Sequence, residues 1–275
     1  MMLYLKLLLV AIISMFNYFF VPNDVPATYK DTFTQATKSD YEQSFKIGSQ
    51  IPNKLLTLKP YRINHGRHIS PIGKVSSDAT GKSGQGSTGF VIDKHTIITA
   101  SHAVSDKAGN KETNKPFYFY PSKSNHDVPL KYKITKFYKV PNRDVAVLTT
   151  NQNLEKHIKP LQIAREHTIK NLQPKSPIRM LGYPHEGPFT GELMYESKGY
   201  FLKSTREDIE YMAHINRRVG FSGSPVLNKQ NQVIGVHTHG IRPEMHMKKQ
   251  STRHLYSGGP LMTGKTRAFI DQHRK

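Results

Sequence analysis

From residue 90 onward, short apolar or alternating runs are separated by clusters of turn residues. Runs at 90–92, 96–99, 117–120, 132–140, 145–149, 178–182, 193–202, 209–215, 226–228 and 233–238 have the length and periodicity of strands. Asp93-Lys94-His95 and Asn228-Lys229-Gln230-Asn231 are turn signals between neighbouring runs. Many short strands with regular turns predict barrels or sandwiches. Only 263–273 has a helical pattern, with Gly264 at its start and Ala268, Phe269 and Ile270 as packing residues. No internal repeat is apparent.

The first 90 residues differ. A short basic start at Lys6 precedes an apolar run over 7–21 that is broken by Ser14 and Asn17. This run is shorter than the roughly 20 apolar residues a membrane span needs. Val25-Pro26-Ala27 then places small residues at the two positions a signal peptidase reads. Residues 1–27 are therefore expected to be a signal peptide cleaved after Ala27, with an uncleaved membrane anchor as the alternative. Either places the rest outside the membrane. Residues 28–60 are polar without sustained periodicity, and Pro52, Pro60 and Pro71 argue against long helices. This stretch reads as a propeptide, a tether or an N-terminal arm, and the Gly/Ser-rich 81–89 reads as a loop feeding the first clear strand.

Composition narrows the chemistry. The 275 residues suffice for two medium domains or one two-lobed domain, and the absence of Cys excludes disulfides and thiol chemistry. The net charge of +20 creates a field that attracts anionic surfaces or acidic substrates. Lys and Arg are scattered, with no basic helix or aromatic-interleaved stripe, so specific nucleic-acid recognition is not expected. A solvated basic surface is the favoured reading, with attachment to anionic cell-wall polymers as a secondary one. The 14 histidines include His237-x-His239, but no His-Glu-x-x-His or similar motif occurs, so neither a metal site nor a cofactor is expected.

Three segments carry chemistry together. Gly220-Phe221-Ser222-Gly223-Ser224-Pro225 offers a serine between glycines that permit unusual backbone angles. A serine hydroxyl is a poor nucleophile without a base and a group to orient that base. Upstream stand Ala100-Ser101-His102, after an apolar run, and Asp144, before the alternating 145–148. The order His102, Asp144, Ser222 is one of the known solutions to the Ser-His-Asp triad, and it reads as a serine endopeptidase.

These segments resemble the chymotrypsin-fold serine proteases of Gram-positive bacteria, specifically the glutamyl endopeptidase and exfoliative-toxin group. The likeness runs in order through 87–92, 98–102, 144–147, Gly182-Tyr183-Pro184, 196–199, the serine loop and 233–237. The resemblance implies an all-β protein of two six-stranded antiparallel β-barrels with a short C-terminal helix. The lobes would be 61–157 and 158–275, with 28–60 as a propeptide or an arm around the first barrel. It further implies an oxyanion hole from the N–H groups of Gly220 and Ser222, a peptide or protein substrate, and a monomer secreted by, or anchored on, a Gram-positive cell.

In that family a histidine after the serine loop binds the substrate's acidic side chain, and His237 matches it. Thr238, His239 and Gly240 would pair with the substrate backbone as an added strand. Arg217 stands where the family has a hydroxyl residue; in the pocket it would favour a carboxylate, and otherwise it is a surface residue. Relatives place Asn or Asp before the nucleophile, whereas this chain has Phe221. Phe221 either packs into the barrel and fixes the loop, or leaves the oxyanion hole badly formed in a protease-fold protein that binds without cutting. A PDZ-bearing quality-control protease shares the triad contexts, but only ~35 residues follow Gly240, too few for an extra domain.

Overall fold

In a computed structural model, residues 36–62, 69–105, 115–125, 127–241 and 254–275 are described below. The expected leader at 1–27 lies outside them. Among the described residues no helix is long and apolar enough to cross a membrane.

The strand-like runs form two curled antiparallel sheets. The first contains β2 (Ile72–Ser76), β3 (Ser87–Val91), β4 (Thr96–Thr99), β5 (Tyr118–Pro121), β6 (Tyr132–Lys133), β7 (Lys136–Lys139) and β8 (Ala146–Thr149). Their order is β6-β5-β2-β3-β4-β8-β7. The β3–β4 hairpin forms where expected, and its turn is fixed by the His95 N–H donating to Asp93 Oδ1 at 3.0 Å. Every residue of β4 and β8 is buried, which suits their β-branched and apolar composition.

The second sheet contains β9 (Pro177–Gly182), β10 (Tyr195–Ser204), β11 (Glu210–His214), β12 (Pro225–Leu227), β13 (Val233–Val236), β14 (His239–Gly240) and β15 (Tyr256–Pro260). It runs β13-β12-β9-β10-β11-β15-β14, with β1 (Thr57–Pro60) added against β10. A bridge between Gly235 and Leu261, and the Met262 N–H donating to the Ile234 carbonyl at 2.9 Å, draw β13 back towards the segment after β15. The two-barrel, trypsin-like architecture expected from sequence is the one observed. The sheets hold seven and eight strands because the short β6 and β14 and the added β1 extend them.

One apolar core joins the lobes. Ile72, Phe90, Ile98 and Val147 of the first sheet pack in the same cluster as Met180 and Val236 of the second sheet and Tyr183 and Phe221 of its loops. A separate cluster around Phe119, Ile97 and Leu148 fills the first barrel. Near the lobe boundary two lysines are buried, Lys74 at 1% and Lys123 at 0% exposure. Lys123 Nζ pairs with Glu192 Oε2 at 2.5 Å, while Lys74 Nζ donates to the carbonyls of Ser83 and Gly191. Burial first, then the charge of Lys123, lowers the Lys74 pKa to about 8.

The N-terminal region departs from expectation. Residues Lys38–Gly48 form a helix, and it packs on the second lobe, not around the first barrel. Its start is set by a capping box in which Thr37 Oγ1 accepts the Asp40 N–H and Asp40 Oδ2 accepts the Thr37 N–H. Phe45 meets the edge of the Tyr256 ring at 5.1 Å, in a cluster with Leu202, Met212 and Ile241. Asp40 also bonds Lys203 Nζ at 2.6 Å. The apolar surface of β10, β11 and β15 that faces away from the main core needs a cover, and this helix supplies it. Besides Gly264–His273, a one-turn helix occurs at Glu166–Lys170.

Candidate active site

His102 sits in a single 3-10 turn, Ser101–Ala103, immediately after β4. Asp144 precedes β8, the strand beside β4, so the two side chains meet at one end of the first sheet. His102 Nδ1 is 2.6 Å from Asp144 Oδ2. The other carboxylate oxygen accepts the His102 N–H at 3.0 Å and the Ser101 hydroxyl at 2.8 Å. Burial would raise the Asp144 pKa, but the His102 charge and these hydrogen bonds outweigh it, leaving it below the usual carboxylate value. Burial would lower the His102 pKa, yet the charge and hydrogen bond of Asp144 reverse this and hold it above 6.5.

The serine loop comes from the second lobe and is tied to the first. The Thr88 N–H donates to the Ser222 carbonyl at 2.8 Å, and Thr88 Oγ1 donates to the Gly220 carbonyl at 2.8 Å. Gly223, at φ +85°, lies so close to this sheet that a Cβ would come within 2.0 Å of the Thr88 carbonyl and 2.9 Å of the Ala100 nitrogen. Only glycine fits there. Ala100 is two residues before His102, so the contact places Ser222 beside the His102 turn. Gly220, at φ +96°, is equally confined, since its Cβ would sit 2.2 Å from the Tyr183 carbonyl.

Phe221 is 0% exposed and packs in the core that joins the lobes, with its ring against Gly182. Phe221 thus packs into the barrel core at the base of the serine loop. The Gly220 and Ser222 carbonyls are turned towards Thr88, and among the described residues the Gly220 and Ser222 N–H groups donate to no acceptor. Two adjacent donors of this kind can receive an oxyanion.

His237 follows β13 and is buried at 3% exposure, with its carbonyl accepting the Gly223 N–H at 2.7 Å. Its Nδ1 is 2.7 Å from Ser257 Oγ, which is 3.1 Å from the Tyr211 hydroxyl. Burial first, then the Arg217 cation and His239, hold the His237 pKa well below 6.5, so its ring is neutral. Arg217 lies across Gly240: a Cβ on that glycine would be 1.9 Å from the guanidinium carbon. The head group of half-buried Arg217 thus packs on β14, and its charge is felt by the buried His237 ring. Thr238 is buried, its N–H donating to the Gly258 carbonyl at 3.2 Å and its hydroxyl 3.0 Å from His239 Nδ1. Burial lowers the His239 pKa to about 4. β14 ends the sheet order, so among the described strands its outer edge pairs with none.

Sequence reasoning missed Ser101, Thr88, Tyr211 and Ser257. Each is an ordinary polar residue whose role depends on a partner far along the chain. For Ser101 and Thr88, adjacency to the His102 and Gly-rich segments was the available signal. Among the described residues, no group of His, Asp and Glu is arranged to hold a metal ion.

Two β-barrels with a His–Asp pair on one and a glycine-flanked serine loop on the other define a trypsin-like peptidase fold. A trypsin-like peptidase domain matches residues 87–236, and the chain belongs to that family. It is 32% identical over 168 residues to a glutamyl endopeptidase of Staphylococcus aureus, an alignment covering 58% of this chain and 48% of the relative. The chain thus matches about half the length of that curated relative. Among solved structures, a Glu endopeptidase in complex with MPD superimposes with a TM-score of 0.61 at 22% identity, covering 78% of this chain and 95% of the other. The protease Anisep of Arthrobacter nicotinovorans gives 0.60 at 17% identity, covering 78% and 98%. At these identities the structures support the fold alone.

Proposed function

We propose that the protein is a serine endopeptidase working through Ser222, His102 and Asp144 and preferring Glu or Asp before the scissile bond. The observation that carries this reading is the 2.6 Å bond between His102 Nδ1 and Asp144 Oδ2, beside a serine loop pinned to the same sheet. The bond requires the proton on Nδ1 and so leaves Nε2 as the base. Nε2 removes the Ser222 proton as Oγ attacks the carbonyl carbon, and the resulting oxyanion is received by the Gly220 and Ser222 N–H groups. His102 returns the proton to the leaving amine, giving an acyl-enzyme. Water activated by the same imidazole then releases the acid. Burial of Phe221 favours this reading over a disabled binding protein, because the loop is anchored where a distorted one would be loose.

The acidic preference rests on Arg217 and His237. Tyr211, Ser257 and His237 form a relay; when each hydroxyl donates towards His237 Nδ1, the proton of the neutral ring lies on Nε2. A substrate carboxylate selects that arrangement, since it needs donors. Arg217 supplies the cation and fork geometry that a carboxylate matches. His239 and Gly240, at the open sheet edge, would pair with the substrate backbone.

Protein or peptide substrates follow, with the lobes divided as 61–157 and 158–275. A monomeric protein exported through the apolar run at 7–21 is the corresponding cellular reading, with anionic wall polymers as a secondary partner. Digestion of a peptide library tests the function. Cuts after Glu or Asp that vanish in Ser222→Ala support it; cuts after Lys, Arg or large apolar residues refute the specificity.

A further inference from the structure

The loop joining β9 to β10 is wedged between the first lobe and the serine loop. On the first-lobe side, the Gly191 carbonyl accepts buried Lys74 Nζ at 3.0 Å, and the Asn125 N–H donates to the Glu192 carbonyl at 2.8 Å. The loop is closed on itself by the Gly191 N–H donating to the Pro184 carbonyl at 2.7 Å. On its other side it holds Val219 from both directions. The His185 N–H donates to the Val219 carbonyl at 2.9 Å, and the Val219 N–H donates to Glu186 Oε2 at 3.1 Å. Arg218, next along the chain, lies over the Phe189 ring of the same loop at 5.6 Å.

The Phe221 N–H, donating to the Arg218 carbonyl at 3.2 Å, closes the turn around the Val219–Gly220 peptide, but turns closed in this way admit either orientation of their central peptide, so the clamp selects between them. The Val219 side chain is 50% exposed, so its packing does not fix the backbone, and Gly220 permits rotation that other residues resist. No cis peptide occurs among the described residues, so the Gly220 N–H points opposite to the Val219 carbonyl and hence away from His185. If the peptide turned over, the Val219 carbonyl would take the place of the N–H and an oxyanion would meet a lone pair.

We propose that Glu186 is a positioning residue whose carboxylate, acting with the His185 N–H, keeps the Val219–Gly220 peptide turned so that its N–H serves the oxyanion. This rests on the serine endopeptidase reading above. The carboxylate tethers the near side of Val219, the backbone of the same loop tethers the far side, and the buried lysines anchor the loop that carries both.

The test compares Glu186→Ala and Glu186→Gln with the wild type, using a peptide substrate with Glu before the scissile bond. Complete loss of one oxyanion donor lowers kcat about 100- to 1000-fold. Loosening one without removing it is expected to lower kcat roughly 10- to 100-fold with KM nearly unchanged. Glu186→Gln, which keeps an acceptor oxygen, should recover most of the rate. A peptide boronic acid, whose tetrahedral adduct uses the oxyanion donors, should bind Glu186→Ala more weakly by a similar factor, while the cleaved acid product binds equally. Wild-type kcat in Glu186→Ala, or equal losses for boronate and product in both variants, would overturn the inference while leaving the peptidase reading intact. A wild type that neither cleaves the peptide nor binds the boronate would overturn that reading, and the inference with it.

Discussion

Replacing Arg217 by Met tests the proposed preference for Glu or Asp, because it removes the guanidinium while keeping most of the apolar stem. In the structure the head group lies flat on Gly240, where a Cβ would approach its central carbon to 1.9 Å, and its charge reaches the buried His237 ring. A carboxylate seated about 4 Å from that charge gains about 4 kcal/mol at an effective dielectric constant of about 20. This corresponds to roughly 1000-fold in kcat/KM for a Glu substrate. A neutral Gln substrate of the same shape forfeits only hydrogen bonds and should lose about tenfold or less. The assay is a matched pair of fluorogenic peptides differing only in Glu or Gln before the scissile bond. The Glu/Gln selectivity of the wild type is expected to collapse in Arg217→Met. Gly240→Ala should act in the same direction without touching the charge, since the guanidinium must retreat by more than 1 Å to regain ordinary contact. Undiminished Glu/Gln selectivity in Arg217→Met would refute the assignment of Arg217 to the pocket.

Other expectations follow from the same geometry. Asp144→Asn should lower kcat by a factor on the order of 10,000 in steady-state kinetics, because the amide favours the wrong His102 tautomer. Since Asp144 raises the His102 pKa above 6.5 and the base must be neutral, kcat/KM should climb with pH through a midpoint above 6.5. A pH–rate profile with its acidic limb below 6.5 contradicts this. Phe221→Ala removes a fully buried ring and should cost about 3–5 kcal/mol, lowering the thermal midpoint by on the order of 10 °C in calorimetry. Phe45→Ala should free the 38–48 helix from Tyr256, seen as faster cleavage by an added protease near that helix with the barrels left intact.

The all-β character was legible because strand periodicity and turn chemistry are local. Asp93 and His95 mark a hairpin whichever protein they occur in. The proposed triad residues stand out in the sequence for the same reason, each embedded in its own short context. The Lys38–Gly48 helix was not, although Thr37 and Asp40 carry its capping signal. Its weakly amphipathic sequence gains stability from covering an apolar face built by β10, β11 and β15, which no local pattern announces. Phe221 could be assigned only once Gly182 was seen to leave room for its ring. The Tyr211–Ser257–His237 relay and the Glu186 clamp join residues distant in sequence, and buried Lys74 and Lys123 reverse the usual preference of lysine for the surface.

The central claim is that Ser222 is a nucleophile activated by His102. Its most direct measurement is intact-mass and peptide-mapping analysis after treatment with a fluorophosphonate. The account predicts a single adduct on Ser222, formed rapidly in the wild type, far more slowly in His102→Ala and not at all in Ser222→Ala. No adduct in folded wild-type protein, or labelling at Ser222 that persists at full rate without His102, would contradict it.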